Sequence, residues 1–230
     1  MKTIGLVGGT GWVSSLEYYK IINETVNKKC GGLQFPKIIL YSVNYGEIYE
    51  CNQNDDREGV YQIVKKGADT LAKAEVDFIA LCANTIHFTY DRLSSEIKLP
   101  FVHIADATAN AIQEKGISKV GLLGTRETME MEFYKDRLAQ KGIEVITPAK
   151  PEREFIHYSI MHELLKEVFL PETKTGFISI MKKLKDQGAE GIILGCTEIP
   201  LLIKAEDFSL PLFSTLEIHA ETIANFALSL

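Results

Sequence analysis

Short apolar runs alternate with amphipathic stretches along the whole chain. Residues 4–7, 37–43, 76–81 and 101–104 are brief, apolar and rich in β-branched side chains, the pattern of strands buried on both faces. Between them the period changes to that of a helix. Over residues 58–74, Val60, Ile63, Val64, Ala68, Leu71 and Ala72 fall on one helical face. Leu16, Tyr19, Ile22 and Val26 define another, with Ser14 and Glu17 spaced as a capping box at its start. Apolar strands separated by helices predict parallel sheets covered on both sides, an α/β fold.

The second half repeats the first. Residues 119–125 echo residues 2–10, and Leu210-Pro211-Leu212-Phe213-Ser214 echoes Leu99-Pro100-Phe101-Val102-His103. Helical patterns follow the second pair, over 106–115 and 216–228. Gly142 and Gly188 end helical runs as glycines just past a C-terminus do. A third pair of runs, 76–85 and 189–198, breaks at Cys82 and at Cys196, about half the chain apart, each followed by small polar residues. The expected architecture is two pseudo-symmetric domains, each a parallel sheet flanked by helices, with the active site between them. Residues 1–98 plus 210–230 form the N-terminal domain in this reading and 99–209 the C-terminal one. The last helix returns to complete the first domain.

Composition narrows the function classes. Of 230 residues, 46% are hydrophobic and 24% charged, enough apolar side chain for a packed core. The net charge of −6 and the absence of basic runs argue against nucleic acid or an anionic membrane as partner. No apolar stretch approaches the ~18 residues of a membrane span, and the N-terminus reads as a strand rather than a leader. A cytoplasmic protein with four reduced cysteines is expected. No Cys-x-x-Cys pair occurs, so neither a metal nor a dithiol redox centre is expected.

Ligands of open parallel sheets lie at the carboxyl ends of the strands, where both cysteines fall, together with Gly8-Gly9-Thr10 and Gly124-Thr125. Two thiols in matching places suit a reaction that removes a proton from one side of a carbon and returns one from the other. Backbone N–H groups and a helix dipole at a strand-to-helix junction are expected to lower each thiol's pKa. Cys30 and Cys51 have no counterpart in the other half, and Cys30 reads as structural. The glycine run at 5–11 is not spaced as a dinucleotide loop, and residues 41–44 lack a ribose-binding acid. It suits close approach of a small anion instead. Asn84, Thr85, Thr125, Thr128 and Thr197 can hold a carboxylate or cap helices. Glu198 is placed to shuttle a proton or to cap. His87, one turn past Cys82, either orients the thiol or packs.

These motifs carry a family resemblance over nearly the whole length. The pieces are Gly8-Gly9-Thr10, the run from Cys82 to His87 (Cys-Ala-Asn-Thr-Ile-His), residues 123–129 (Leu-Gly-Thr-Arg-Glu-Thr-Met) and Gly195-Cys196-Thr197-Glu198-Ile199-Pro200. They resemble the aspartate/glutamate racemases that work without pyridoxal phosphate. The resemblance implies a two-domain fold, Cys82 and Cys196 as paired acid and base, no cofactor, and a homodimer. It implies L/D interconversion of aspartate or glutamate. Peptidoglycan-type glutamate racemases usually carry an Asp-Ser-Gly loop and Gly-Cys-Thr-His, so Thr10 and Glu198 point away from that group. Many aspartate racemases have an Asp-Arg pair after the second strand, absent from residues 48–53 here. Asn52 or Gln53, with Lys166 as the cation, is then the expected grip on the distal carboxylate. Rival readings are a related two-cysteine isomerase or decarboxylase, a cysteine hydrolase using Cys82 with His87, and a two-lobed binder of small dicarboxylates.

Overall fold

A computed structural model describes residues 1–229. The chain divides into two compact units, residues 1–104 together with those from His219 onward, and Ala105–Ile218.

The first unit runs β1 (Ile4–Gly8), α1 (Trp12–Cys30), β2 (Ile38–Ser42), α2 (Tyr45–Gln53), α3 (Arg57–Lys73), β3 (Phe78–Leu81), a 3-10 turn (Thr85–Thr89), α4 (Tyr90–Glu96), β4 (Phe101–Val102) and the first residue of α5 (Ile104–Glu114). The second runs β5 (Lys119–Leu123), α6 (Arg126–Glu130), α7 (Glu132–Ala139), β6 (Glu144–Ile146), α8 (Lys150–His162), a 3-10 turn (Leu164–Lys166), α9 (Pro171–Asp186), β7 (Gly191–Leu194), α10 (Ile199–Leu202), a 3-10 turn (Ala205–Asp207) and β8 (Leu212–Ser214). The closing helix α11 (Thr215–Leu228) begins in the second unit and ends in the first.

Each unit holds a four-stranded parallel sheet, and the orders match: β2-β1-β3-β4 and β6-β5-β7-β8. Val7 pairs with Leu81 in one, and Leu123 with Leu194 in the other. The sequence repeat is therefore a repeat of topology. The central strands β1, β3 and β7 are buried throughout, which is why they read as continuous apolar runs. Val7, Ile79 and Leu81 pack with Val60, Val64, Ala68 and Leu71 of α3 in the first core. Phe177, Met181 and Leu184 of α9 pack with Ile192 and Leu194 in the second. Each Val, Ile, Leu, Met or Phe side chain among them contributes about 1.5–3 kcal/mol by leaving water. Gly142 and Gly188 take left-handed φ values of 74° and 94° past their helices, as their positions predict.

Three expectations differ from the observed fold. The boundaries at 98/99 and 209/210 each fall one strand early: β4 pairs with β3 and β8 with β7, so the chain changes unit only afterwards, within α5 and α11. Residues 101–104 give a two-residue strand, because Ile104 already begins α5. Helix α1 starts at Trp12, with Gly11 rather than Ser14 at its cap. Its buried face is Ser14, Ser15, Tyr18, Ile22 and Val26, while Leu16 and Tyr19 are 56% and 53% exposed.

Candidate active site

In the first unit the ends of neighbouring strands β1 and β3 bring Thr10, Cys82, Asn84 and Thr85 to one edge of the sheet. The Cys82 N–H donates to the Val7 carbonyl at 2.9 Å, continuing the ladder one residue past β3. Its thiol is buried. Across the strand end the chain turns through Gly9, whose φ of 95° and closeness to the Val43 backbone leave no room for a side chain. The Gly9 N–H donates to Ser15 Oγ at 2.9 Å, and the same hydroxyl donates to the Gly11 carbonyl at 3.1 Å. Ser15 thus braces the glycine loop from inside α1. Thr10 Oγ1 is buried and finds no hydrogen-bond partner among the described residues. A hydroxyl left so costs about 1–3 kcal/mol, which a ligand oxygen would recover.

His87 is buried. The Ile104 N–H donates to its Nε2 at 3.3 Å, so Nδ1 carries the proton and donates to the Ala83 carbonyl at 2.8 Å. Both ring nitrogens engage backbone. His87 therefore fixes the loop beside Cys82, an arrangement that offers no support for His87 as the base of a cysteine hydrolase.

The second unit repeats the arrangement at the ends of β5 and β7. The Gly195 N–H donates to the Leu123 carbonyl at 2.6 Å. Cys196 Sγ donates to Glu198 Oε2 at 3.0 Å, and Thr197 Oγ1 donates to the same oxygen at 2.8 Å. Glu198 is itself only 5% exposed. Its side chain makes no capping bond to α10 and accepts the thiol's hydrogen bond instead. Thr125 and Asn84 stand at helix starts without side-chain capping bonds. The Thr125 hydroxyl pairs with that of Thr128 at 3.3 Å. Asn52 lies exposed in the last turn of α2, and Lys166 exposed at the end of the 3-10 turn after α8. These two sit on helical segments rather than at strand ends.

The expected lowering of the thiol pKa values does not hold. Burial pushes Cys82 far above the ordinary thiol value. Burial, then the negative charge and hydrogen bond of Glu198, push Cys196 up as well. The helical segments after them have five and four residues, too short for a strong dipole field, so desolvation dominates. Both thiols rest protonated, and Cys196 has a carboxylate positioned to receive its proton. Cys30 is exposed at the end of α1, not packed as a structural residue would be.

Sequence reasoning missed Ser15 and His157. The sign of Ser15 was a polar residue where the period of Ile22 and Val26 demands an apolar one. His157 accepts the Arg126 N–H at 3.2 Å, across 31 positions, and no local pattern announces it. Among the described residues no group of three or more His, Cys, Asp or Glu could hold a metal ion, and no helix is long and apolar enough to cross a membrane.

The whole chain is similar to a candidate Asp/Glu racemase from Yersinia pestis, at 44% identity and a TM-score of 0.93, with both chains fully covered. It is similar to an aspartate racemase homologue from Pyrococcus horikoshii OT3 at 37% identity and a TM-score of 0.86, again with both chains fully covered. Over 62% of its length it is 28% identical to a broad-specificity amino-acid racemase of Bacillus subtilis, spanning 63% of that protein. The Asp/Glu/Hydantoin racemase family model matches residues 7–223. With a buried thiol just past the third strand of each of two like sheets, and a family match over nearly its full length, the chain belongs to the Asp/Glu/hydantoin racemase family.

Proposed function

We propose that the protein interconverts the L and D forms of aspartate, glutamate or both, without a cofactor, using Cys82 and Cys196 as the two acid–base groups. The observation that carries this reading is the matched position of two buried thiols, one past the third strand of each four-stranded sheet, in a member of a racemase family. One thiolate removes the Cα proton, and the other thiol protonates the opposite face. Which cysteine serves which enantiomer follows from substrate orientation.

Two energetic problems must be met. The first is forming a thiolate where burial opposes it. Glu198 accepts the Cys196 proton, so that thiol is activated by a neighbouring carboxylate. The second is the carbanion. Loop N–H groups, the hydroxyls of Thr10, Thr85, Thr125 and Thr197 and the Asn84 amide stabilise the α-carboxylate as it becomes enolate-like. Their local field outweighs the chain's net charge of −6. Asn52 and Lys166 meet the distal carboxylate in this scheme. The similarity to a broad-specificity racemase favours tolerance at that end over strict selection of one acid.

The test is incubation with L-aspartate or L-glutamate in deuterated water, with no cofactor added. Cα–H exchange and decay of optical rotation are expected for at least one; absence of both would sink the assignment. Cys82→Ser and Cys196→Ser should each abolish racemisation. Full activity in either variant would overturn the two-base scheme.

A further inference from the structure

Helix α6 has five residues and opens directly after Thr125, so its placement sets that of the Gly124–Thr125 turn. A helix of this length does not hold itself in water. Its own N-cap contributes no side-chain bond, because the Thr125 hydroxyl faces Thr128 instead. The missing restraint comes from α8. There, His157 Nδ1 accepts the N–H of Arg126, the first residue of α6, at 3.2 Å. One turn earlier, Arg153 Nε donates to Glu130 Oε1 at the other end of α6, at 3.0 Å, while its Nη1 donates to the Pro148 carbonyl at 2.8 Å. Two residues on one face of α8 thus grip both ends of α6.

We propose that His157 is a positioning residue for substrate binding: it takes over the capping of α6, which keeps the Gly124–Thr125 turn, and with it the Thr125 hydroxyl, in place for the substrate carboxylate. This rests on the racemase reading, in which Thr125 binds substrate. The contact requires a neutral ring, because an imidazolium has no lone pair to accept the Arg126 N–H. Half-burial is the largest influence holding the ring neutral, and the charges of Arg126 and His162 add to it. Glu127 and Glu130 act in the opposite direction, with Glu130 paired to Arg153. The balance lowers the His157 pKa below the ordinary 6.5. Substrate binding should therefore weaken on the acid side as His157 gains a proton.

Asparagine is the informative replacement. Its Oδ1 stands as many bonds from Cα as the histidine Nδ1 does, accepts the same N–H and does not titrate. KM and kcat for L-aspartate and L-glutamate are to be compared in the wild type, His157→Ala and His157→Asn between pH 5 and pH 8. Amide hydrogen exchange at residues 124–128 is followed in parallel. The expected result is a KM about fivefold higher in His157→Ala with kcat little changed, faster exchange at Arg126, and recovery of both in His157→Asn. The acid-side rise in KM should vanish in His157→Asn. An unchanged KM in His157→Ala, or His157→Asn no better than His157→Ala, would overturn the proposal. Should neither amino acid be racemised by the wild type, the racemase reading fails, while Arg126 exchange still reports whether His157 anchors α6. Unaltered exchange in His157→Ala would overturn the anchoring itself.

Discussion

The two thiols are not equivalent. Cys196 Sγ donates a hydrogen bond to Glu198 Oε2 at 3.0 Å, whereas burial alone accounts for the raised pKa of Cys82. Replacing Glu198 with glutamine removes the basic carboxylate but keeps the size and an oxygen that can accept a hydrogen bond. A positioned general base contributes on the order of 100-fold or more, so kcat/KM should fall by about that factor in Glu198→Gln. The fall must be equal in both directions, because enantiomers have equal free energy and the two values of kcat/KM are locked to a ratio of one. The asymmetry surfaces elsewhere. In deuterated water the variant should place deuterium at Cα of one enantiomer faster than it inverts it, since the Cys82 half-reaction retains its own route. Proton NMR with chiral chromatography measures both rates. Equal exchange and inversion for both enantiomers would show that Glu198 does not serve one thiol alone. The residues behind this argument were legible in the sequence because they are local: Cys196, Thr197 and Glu198 are consecutive. What could not be read was the sign of the pKa shift, which depends on how much protein covers each thiol.

Whether an element could be read depended on how faithfully its buried face follows a hydrophobic period. Helix α3 was legible since Val60, Val64, Ala68 and Leu71 repeat at helical spacing and all are buried. Helix α1 was misread because its buried face begins with Ser14 and Ser15, while the more apolar Leu16 and Tyr19 face solvent. Ser15 is buried for a reason outside its own helix: it holds Gly9. That loop has little freedom. A Cβ on Gly9 would lie 2.4 Å from the Val43 carbonyl oxygen, at a φ of 95° that L side chains rarely adopt. Gly9→Ala should therefore lose about 3 kcal/mol, the combined order of a strained backbone and an overpacked contact. The shift in urea midpoint measures it, with the slope unchanged. Racemisation should fall by more than the lost stability explains, because Thr10 moves with the turn. A variant as stable and as active as the wild type would show that the turn has slack.

At the scale of the whole molecule the duplication was legible, because both halves keep the same strand order and a thiol within two residues of the third strand's end. The points where the chain changes unit were not. They depend on which sheet edge takes β4 and β8, a pairing that short strands such as Phe101–Val102 do not announce. The return of α11 to the first unit is fixed by a buried histidine. His219 Nε2 donates to the Val102 carbonyl at 3.0 Å, and its Nδ1 accepts from the Tyr18 hydroxyl at 2.8 Å, which ties α11 to β4 and α1. Burial lowers its pKa from 6.5 to about 4, against the opposing effect of the Val102 bond. The unfolded chain therefore takes up this proton near pH 6.5, the folded chain only near pH 4. Above pH 6.5 neither form holds it and the group has no effect on stability. Between pH 6.5 and pH 4 the unfolded state binds more protons, so stability falls as pH falls, by up to about 1.4 kcal/mol per pH unit and on the order of 3 kcal/mol in all. His219→Gln cannot take up that proton. It should be less stable than the wild type at pH 7, having lost a fitted ring, yet its stability should decline less steeply toward pH 4. Urea unfolding at half-unit steps from pH 7 to pH 4 compares the two slopes, and the difference does not depend on how well glutamine packs. Parallel curves would mean that His219 is charged in the folded protein over this range, or takes up its proton at the same pH as in the unfolded chain. Either would remove the buried neutral ring as the anchor of α11.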